Sequence, residues 1–257
     1  MSENGNPNQY SSLSQVRFDE GRHSRAKIGY VLLATEQTIE DDVMRLRPSG
    51  VGVHFTRAAI SDSITHSTLS AQKALLADCA ATLLPDGSLD VVCYACTSGS
   101  LVIGEDRVIA ELNKGAPKAT ATSLITGAIR ALNAVGASKI VIATPYIDEI
   151  NQREAKYLEA AGFEVLSIAG LKIEKDSDMV RVAPEFIIEF ALSLDRADAE
   201  AIFVSCGALR TLDVLEEIEK RADKPVIASN QAMIWDTFRL AGIDDRIEGY
   251  GRLLRDH

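Results

Sequence analysis

The chain has 257 residues, 46% of them hydrophobic, and a formal net charge of −10, which is typical of a globular protein with a substantial core. Its acidity and lack of a basic cluster exclude a nucleic-acid partner, which would need Lys and Arg to neutralise phosphates. No apolar run is long enough to span a membrane, the N-terminus does not resemble a secretory signal, and four cysteines are too few for a disulfide framework. We therefore expect a cytoplasmic protein with free thiols.

Residues 1–26 are polar and rich in Ser, Asn and Gln, and we predict a disordered tail there. After the tail, apolar strand-like runs alternate with helix-like stretches. The predicted strands lie at 28–33, 51–58, 90–95, 119–123, 139–144, 163–169, 201–205 and 225–229. The predicted helices lie at 68–84, 104–113, 123–135, 150–161, 184–194, 211–221 and 232–241. This alternation predicts an α/β fold with parallel sheets covered by helices on both faces.

The sequence also resembles itself. IGYVLLATE at 28–36 is similar to IVIATPYID at 140–148, and DVVCYACTSGS at 90–100 is similar to EAIFVSCGALR at 200–210. The first pair is displaced by 112 residues and the cysteines of the second pair by 110. This nearly constant displacement predicts two copies of a βαβ unit. We expect a first lobe at 27–136, a second lobe at 137–235, and a return of residues 236–257 to the first lobe.

Two cysteines carry the most specific chemical signal. Cys96 and Cys206 each end a predicted buried strand, at the edge where parallel sheets bind their ligands. The backbone amides of Thr97, Ser98 and Gly99 would form an anion site that favours a thiolate. An isolated cysteine is more often a small buried hydrophobe. Two cysteines at matching positions of a duplicated unit, however, would face each other across a cleft.

Such a pair supports two kinds of chemistry. One thiolate could remove a proton from a carbon acid while the other thiol delivers a proton to the opposite face. Alternatively, one thiolate could add covalently to an activated double bond. Neither route requires a metal or an organic cofactor, so we expect none.

Three further residues are candidates for substrate binding. Tyr146 follows the predicted strand 139–144, and its hydroxyl could donate to a carboxylate or a developing oxyanion. The alternative is a half-buried tyrosine at a strand end. Thr35 and Glu36 follow the matching first-lobe strand, where Glu36 is either a helix-cap or solvated residue, or a polar wall of the site.

Other motifs are absent or weak. Cys93 and Cys96 form a CxxC pair, but Cys93 lies inside an apolar strand, which disfavours a redox pair. No second Cys pair or His pair has zinc-ligand spacing, so no metal site is predicted. The sequence contains no GxGxxG, GxxxxGK[ST], GxSxG or HExxH motif, which excludes the simplest nucleotide, hydrolase and zinc-protease interpretations.

Several segments resemble the maleate isomerase and arylmalonate decarboxylase branch of the aspartate/glutamate racemase superfamily. They are IGYVLLATEQTIEDD at the start, CTSGS at 96–100, TPYIDEINQREAKYLEAAGFEV at 144–165, SCGALRTLDVLEEIE at 205–219 and PVIASNQAMIWDTFRLAGI at 225–243. The resemblance implies two pseudo-symmetric Rossmann-like (flavodoxin-like) lobes with an active site between them. It also implies a small carboxylate as substrate.

The resemblance assigns roles to individual residues. Isomerases and racemases of this group use one cysteine from each lobe, which implies catalytic roles for Cys96 and Cys206. The decarboxylases keep only the second cysteine and hold a carboxylate through hydroxyls and amides that match Thr97 and Ser98. Tyr146 matches a substrate-binding tyrosine, and Gly207 matches a backbone donor.

Glu36 departs from this pattern, because maleate isomerases carry an Asn at the matching position. A glutamate would repel a second substrate carboxylate, or it could bind an amine. The combination of CTSGS with SCGALRT is similar to the ectoine-utilisation member of the group, which implies a ring-opened ectoine derivative or a related amino acid.

Three functions remain open. They are a two-cysteine isomerase or racemase, a decarboxylase with Cys206 as proton donor, and a two-lobed ligand sensor without turnover. The sequence leaves homo-oligomerisation undecided.

Overall fold

The computed structural model describes residues 16–257, so most of the predicted tail lies outside the described residues. Residues 16–25 form no helix or strand and are mostly exposed. The strands are β1 (Ala26–Leu33), β2 (Val51–Ala58), β3 (Val91–Tyr94), β4 (Thr120–Ser123), β5 (Lys139–Thr144), β6 (Glu164–Gly170), β7 (Ala201–Val204) and β8 (Val226–Ala228). All eight correspond to the strands predicted from apolar runs.

The helices follow the same chain order. They are α1 (Ile39–Leu46), α2 (His66–Ala71), α3 (Lys73–Thr82), α4 (Thr97–Ile103), α5 (Glu105–Gly115), α6 (Leu124–Ala134), α7 (Asp148–Ala160), α8 (Asp176–Met179), α9 (Pro184–Ser193), α10 (Leu215–Ala222), α11 (Ser229–Leu240) and α12 (Gly251–Asp256). A short 3₁₀ turn at Thr211–Asp213 precedes α10.

The strands form two parallel four-stranded sheets. The first has the order β2-β1-β3-β4 and the second has the order β6-β5-β7-β8. These orders are the same once β5 is matched to β1, β6 to β2, β7 to β3 and β8 to β4. The predicted α/β class with two similar parallel units is therefore correct. The matched strands β3 and β7 are followed directly by the segments that contain Cys96 and Cys206.

The helix prediction differs from the structure in two respects. The single helix predicted at 68–84 is two helices, α2 and α3, which meet at Gln72. Four helices were not predicted: α1, α4, α8 and α12. α4 has the sequence TSGSLVI, whose Ser, Gly and β-branched residues have low helix propensity, and α8 and α12 have only four and six residues. These short helices depend on tertiary packing rather than on local preference.

The two halves share a hydrophobic core. Ile28, Tyr30 and Leu32 on one face of β1 belong to the same buried cluster as Ile142 in β5 and Phe203 in β7. Helices α6 and α11 pack against each other within this cluster. α11 also contacts β3 and β4, and α6 contacts β8, so each helix reaches the sheet of the other half.

Polar contacts also hold α11 against the first half of the chain. The Tyr30 hydroxyl lies 2.7 Å from the Thr237 hydroxyl, and Thr122 Oγ1 donates to Asp236 Oδ2 at 2.8 Å. Arg130 Nη1 donates to Asp236 Oδ1 at 2.9 Å. These contacts fix α11 against the first half of the chain. Within residues 16–257 we find no helix that is both long and apolar enough to cross a membrane.

Candidate active site

A cavity lies at the carboxyl ends of β3 and β7. About 300 Å³ of space at this cavity and its opening to solvent is not occupied by protein atoms. Its walls come from both halves of the chain and consist of Leu33, Glu36, Ile64, Ala95, Cys96, Thr97, Ser98, Tyr146, Asp176, Met179, Cys206, Gly207 and Ala208. Seven of the eight site residues predicted from the sequence are among them. The eighth, Thr35, contacts the wall residue Asp176 instead.

Cys96 precedes α4 and caps its N-terminus. The Gly99 amide donates to Cys96 Sγ at 3.2 Å, and the Ser98 hydroxyl lies 3.7 Å from the same sulfur. A Cβ at position 99 would overlap the hydroxyl of buried Tyr94, so this close approach requires glycine. Burial raises the pKa of Cys96 to about 11, although the Gly99 amide and the Ser98 and Tyr94 hydroxyls oppose the shift. The thiol is therefore protonated at neutral pH in this environment.

Cys206 lies on a strained turn rather than directly at a helix start. Its φ is +110°, in the left-handed region that residues other than glycine rarely adopt. Its sulfur accepts from the Ala208 amide at 3.4 Å and lies 3.9 Å from Met179 Sδ. Burial raises the pKa of Cys206 well above its ordinary value, and the nearby Asp176 carboxylate raises it further. The two cysteines thus share one cavity but have different backbone settings.

Ser229 connects the two cysteine segments. The Cys206 amide donates to Ser229 Oγ at 2.9 Å, and the same oxygen lies 3.2 Å from the Thr97 hydroxyl. Ser229 is the first residue of α11, which also packs on the first sheet. The buried Ser229 hydroxyl therefore contacts both the turn at Cys206 and the start of α4, and it fixes their relative position.

Tyr146 is positioned by the end of β5 and by α7. Its amide donates to Thr144 Oγ1 at 3.1 Å, and Thr144 Oγ1 donates to Asn151 Oδ1 at 2.5 Å. Burial raises the pKa of Tyr146 well above its ordinary value, with a contribution from Cys206. The Tyr146 hydroxyl in turn opposes the rise in the pKa of Cys206. Tyr146 is thus a neutral hydroxyl beside the second thiol.

Glu36 caps α1 and also lines the cavity. Its Oε1 accepts from the amides of Gln37, Thr38 and Ile39 at 2.9, 2.6 and 3.0 Å. Burial raises the pKa of Glu36, the three amides oppose the shift, and Asp176 adds to it. The two alternatives considered for this residue, a helix cap and a polar wall, are therefore combined in one side chain.

Asp176 is the main wall residue that sequence reasoning missed. It begins α8, is 6% exposed, and accepts from the Thr35 hydroxyl at 2.5 Å through Oδ2. Burial raises the pKa of Asp176, Thr35 opposes the shift, and Asp62 adds to it. Ile64, Met179 and Ser229 were also missed. Ser229 lies in the SNQA segment that carried the family resemblance, which is the only signal that could have indicated it.

Two loops close the cavity, and we call them the closing loops: residues 59–65 and 171–175. Ser63 and Lys175 form an antiparallel bridge, and the Ile64 amide donates to the Glu174 carbonyl at 2.9 Å. Asp62 Oδ1 and Oδ2 accept from the amide and hydroxyl of Ser177 at 2.9 and 2.7 Å. These contacts join the two closing loops beside the wall residues Ile64 and Asp176.

The described residues 16–257 contain no group of three or more His, Cys, Asp or Glu side chains with metal-binding geometry. Two similar parallel sheets that join at a buried cavity with two thiols define a class of two-lobed α/β enzymes. The family model described as arylmalonate decarboxylase matches residues 57–254. The chain belongs to this enzyme family.

Individual relatives agree with this assignment. Arylmalonate decarboxylase from Bordetella bronchiseptica is 35% identical over 135 residues, an alignment that spans 51% of this chain and 56% of the relative. Maleate isomerase from Nocardia farcinica is 25% identical over 241 residues, which cover 89% of this chain and 95% of the relative.

Solved structures share the fold. A cysteine-to-serine mutant of the Nocardia farcinica maleate cis-trans isomerase, with a covalently bound succinylcysteine intermediate, superposes with a TM-score of 0.82 at 24% identity, covering 90% of this chain and 99% of the other. A liganded double mutant of arylmalonate decarboxylase gives a TM-score of 0.78 at 28% identity, covering 89% and 98%. The predicted membership of this branch is confirmed.

Proposed function

We propose that the chain is a cofactor-independent isomerase or racemase of a small carboxylate, in which Cys96 and Cys206 act on opposite faces of the substrate. The observation that supports this proposal is that both thiols line one cavity, each at the carboxyl end of a matching strand. Family membership and the isomerase relatives support it independently. The proposal retains the division into lobes at 27–136 and 137–235, with 236–257 returning to the first.

Two routes fit the geometry. In a racemase, one cysteine in its thiolate form takes the proton from the carbon beside the substrate carboxylate, and the other thiol gives its proton to the opposite face. In a cis–trans isomerase, a thiolate forms a carbon–sulfur bond with the double bond, the resulting single bond rotates, and elimination restores the thiolate. The succinylcysteine in the Nocardia farcinica structure favours the covalent route for that relative.

The other wall residues supply hydrogen bonds. Thr97 and Ser98 begin α4, where the first amides have no intrahelical acceptor, and their hydroxyls lie beside these amides. We assign the substrate carboxylate to this segment. Tyr146 and the backbone at Gly207 are donors for the charge that develops on the carboxylate during proton removal. Thr35 holds Asp176, and Glu36 and Asp176 are the acidic residues of the cavity wall.

The substrate proposal includes amino-acid derivatives. Ring-opened ectoine derivatives are the first compounds to test, because the paired CTSGS and SCGALRT segments resemble the ectoine-utilisation member of the group. The test panel also contains maleate and simple amino acids. Comparison of the isomerisation rates of all these compounds would rank the substrates.

Replacement of the thiols tests the mechanism. Cys96→Ser and Cys206→Ser should each lower turnover at least a thousandfold, because each route needs a thiolate and serine is a far weaker acid. Cys79→Ser is the matched control, since Cys79 is on α3 and does not line the cavity. Circular dichroism checks folding. Full activity in either site variant would overturn the two-cysteine mechanism.

Decarboxylation is the second candidate, favoured by the 35% identity to arylmalonate decarboxylase. Cys206 would then deliver the proton to the carbanion left by carbon dioxide. Release of carbon dioxide from a substituted malonate, insensitive to Cys96→Ser and abolished by Cys206→Ser, would establish this activity. Incorporation of solvent deuterium at the substrate α-carbon without carbon dioxide release would favour the racemase.

A further inference from the structure

Among residues 16–257, the cavity wall carries two carboxylates and no basic side chain. Glu36 comes from the loop after β1, and Asp176 comes from the segment after β6, so one acid is contributed by each half of the chain. None of the thirteen wall residues found among residues 16–257 is Lys, Arg or His. Both acids are only 6% exposed. A buried acidic pair in a substrate cavity lacks its counter-charge.

Each of these carboxylates keeps one oxygen without a partner. Glu36 uses Oε1 for the amides at the start of α1, and Oε2 has no hydrogen-bond partner in the described part of the chain. Asp176 uses Oδ2 for Thr35, and Oδ1 likewise has no partner within residues 16–257. Two carboxylate oxygens without a partner, on side chains that line the cavity, form an acceptor site for a donor that carries positive charge.

We propose that the substrate carries an ammonium group as well as a carboxylate, and that the ammonium is bound between Glu36 and Asp176. The inference rests on the proposed function in treating this cavity as the substrate site. It deepens that function by restricting the substrate class to amino carboxylates. A dicarboxylate would bring a further negative charge against a pair of buried acids.

Electrostatics explains the selectivity. Burial raises the pKa of both carboxyl groups, Asp176 adds to the rise at Glu36, and a cation bound between the two would stabilise the ionised form of both. A substrate carboxylate at the same wall would add a third negative charge with no cation to balance it. The carboxylate of an amino acid is therefore directed to the hydroxyls of Thr97 and Ser98, which fixes the orientation of the substrate.

The same cation would activate the thiols. Asp176 raises the pKa of both Cys96 and Cys206, and Glu36 raises the pKa of Cys206, in each case in addition to burial. An ammonium ion paired with these carboxylates cancels their field at the sulfurs and favours the thiolate. The enzyme would thus form its reactive thiolate only when the correct substrate is bound.

The other charged groups near Glu36 and Asp176 do not provide a counter-charge for these two carboxylates. Asp42 and Asp62 are the other acids near the pair, and each adds negative field. Arg57 donates to the backbone carbonyl of Glu36 at 2.7 Å, but its guanidinium pairs with Glu40 and is not part of the cavity wall. No basic side chain therefore supplies the missing charge from within the described residues.

Binding of matched ligands tests the proposal. The pairs are 3-aminopropanoate against succinate and 4-aminobutanoate against glutarate, in which an ammonium replaces one carboxylate at similar length. Calorimetry at pH 7 with the intact chain should give at least tenfold tighter binding of the amino carboxylates. The double variant Glu36→Gln/Asp176→Asn should lose this preference. Equal or tighter binding of the dicarboxylates to the unmodified protein would overturn the proposal.

A control variant carries the same change in charge in the same two segments. Glu40→Gln/Asp178→Asn removes two acids that line no part of the cavity, and it should keep the preference of the unmodified protein. A loss of preference in this control as large as in the site variant would mean that overall charge, rather than Glu36 and Asp176, selects the ligand.

A second measurement does not depend on ligand choice. The ultraviolet absorbance of thiolate, taken as the difference from Cys96→Ser/Cys206→Ser, follows the titration of the two thiols. Glu36→Gln/Asp176→Asn should lower the midpoint by about one pH unit, and the control variant should not. An unchanged midpoint would overturn the link between the acids and the thiols. Binding selectivity without any turnover would instead overturn the proposed isomerase and leave the ammonium site intact.

Discussion

At the scale of single residues, buried carboxyl groups determine how the protein responds to pH. Glu154 on α7 is fully buried, and its Oε1 accepts from the Ser205 hydroxyl at 2.5 Å, next to Cys206. Its Oε2 has no partner among residues 16–257. Burial raises the pKa of Glu154 to about 7, although the bond from Ser205 opposes the shift. The fold therefore favours the protonated form.

This predicts a pH-dependent effect of Glu154→Gln. The stability that wild-type Glu154 contributes is fully present below its ordinary pKa of 4.5 and is lost as the pH rises through about 7. The free energy of unfolding of the neutral variant should therefore exceed that of wild type by about 3 kcal/mol at pH 8, and the difference should vanish near pH 4. Urea denaturation across this range measures it.

Glu159→Gln provides the control for this comparison, because Glu159 is exposed on the same helix. The free energy of unfolding of Glu159→Gln should stay close to that of wild type at every pH. A stability difference for Glu154→Gln that does not change between pH 4 and pH 8 would show that folding leaves the pKa of Glu154 at its ordinary value.

At the scale of elements, the closing loops meet beside the cavity that the thiols line. The loop after β2 and the loop after β6 come from matching positions of the two halves and contact each other. Ile64 from one loop and Asp176 and Met179 from the segment after the other complete the wall. The two bonds from Ser177 to the Asp62 carboxylate hold the first closing loop against α8, which follows the second.

Removal of these bonds should open the cavity more often. Asp62→Ala is expected to raise the rate of Cys96 and Cys206 alkylation by iodoacetamide about tenfold, since loss of bonds to a carboxylate shifts the opening equilibrium by about that factor. Peptide mass spectrometry at fixed pH measures the rate for each cysteine. Asp178→Ala, which removes an exposed acid from α8, should leave the rates unchanged. Equal rates of cysteine alkylation in Asp62→Ala and Asp178→Ala would show that contacts other than those of Asp62 hold the loops.

At the scale of the whole molecule, α6 and α11 each pack partly on the sheet of the other half, and this packing joins the two halves into one core. The only tryptophan, Trp235, lies on α11 within this shared cluster and is 9% exposed. Because each sheet is covered partly by a helix from the other half, neither half has a complete core of its own.

The halves should therefore unfold together. Unfolding in urea followed by Trp235 fluorescence should coincide with unfolding followed by far-ultraviolet circular dichroism, within the error of the midpoints. Fluorescence reports the interface, and circular dichroism reports the helices of the whole chain. A circular dichroism transition that continues well after the fluorescence change is complete would show that one half remains folded alone.

The sequence determined the elements whose signal is local. All eight strands match predicted runs of five to eight residues, of which 119–123 is the weakest. The central strands are the clearest, because a strand buried on both faces needs apolar residues at nearly every position. The internal repeat then placed Cys96 and Cys206 at matching strand ends, and the common cavity follows from that match. Glu36 was identified as a candidate because it follows β1.

Tertiary structure alone decided the rest. Asp176 reaches the cavity through a contact with Thr35, 141 residues away in sequence, and Ser229 reaches Thr97 across 132 residues. No local pattern encodes such contacts, and the segments that carry them are loops or helix starts whose paths depend on what they pack against. α4 likewise has low intrinsic helix propensity and forms where Cys96 caps it in a buried setting. The pair of acidic residues in the cavity wall is therefore a property of the folded chain, because it requires one residue from each half.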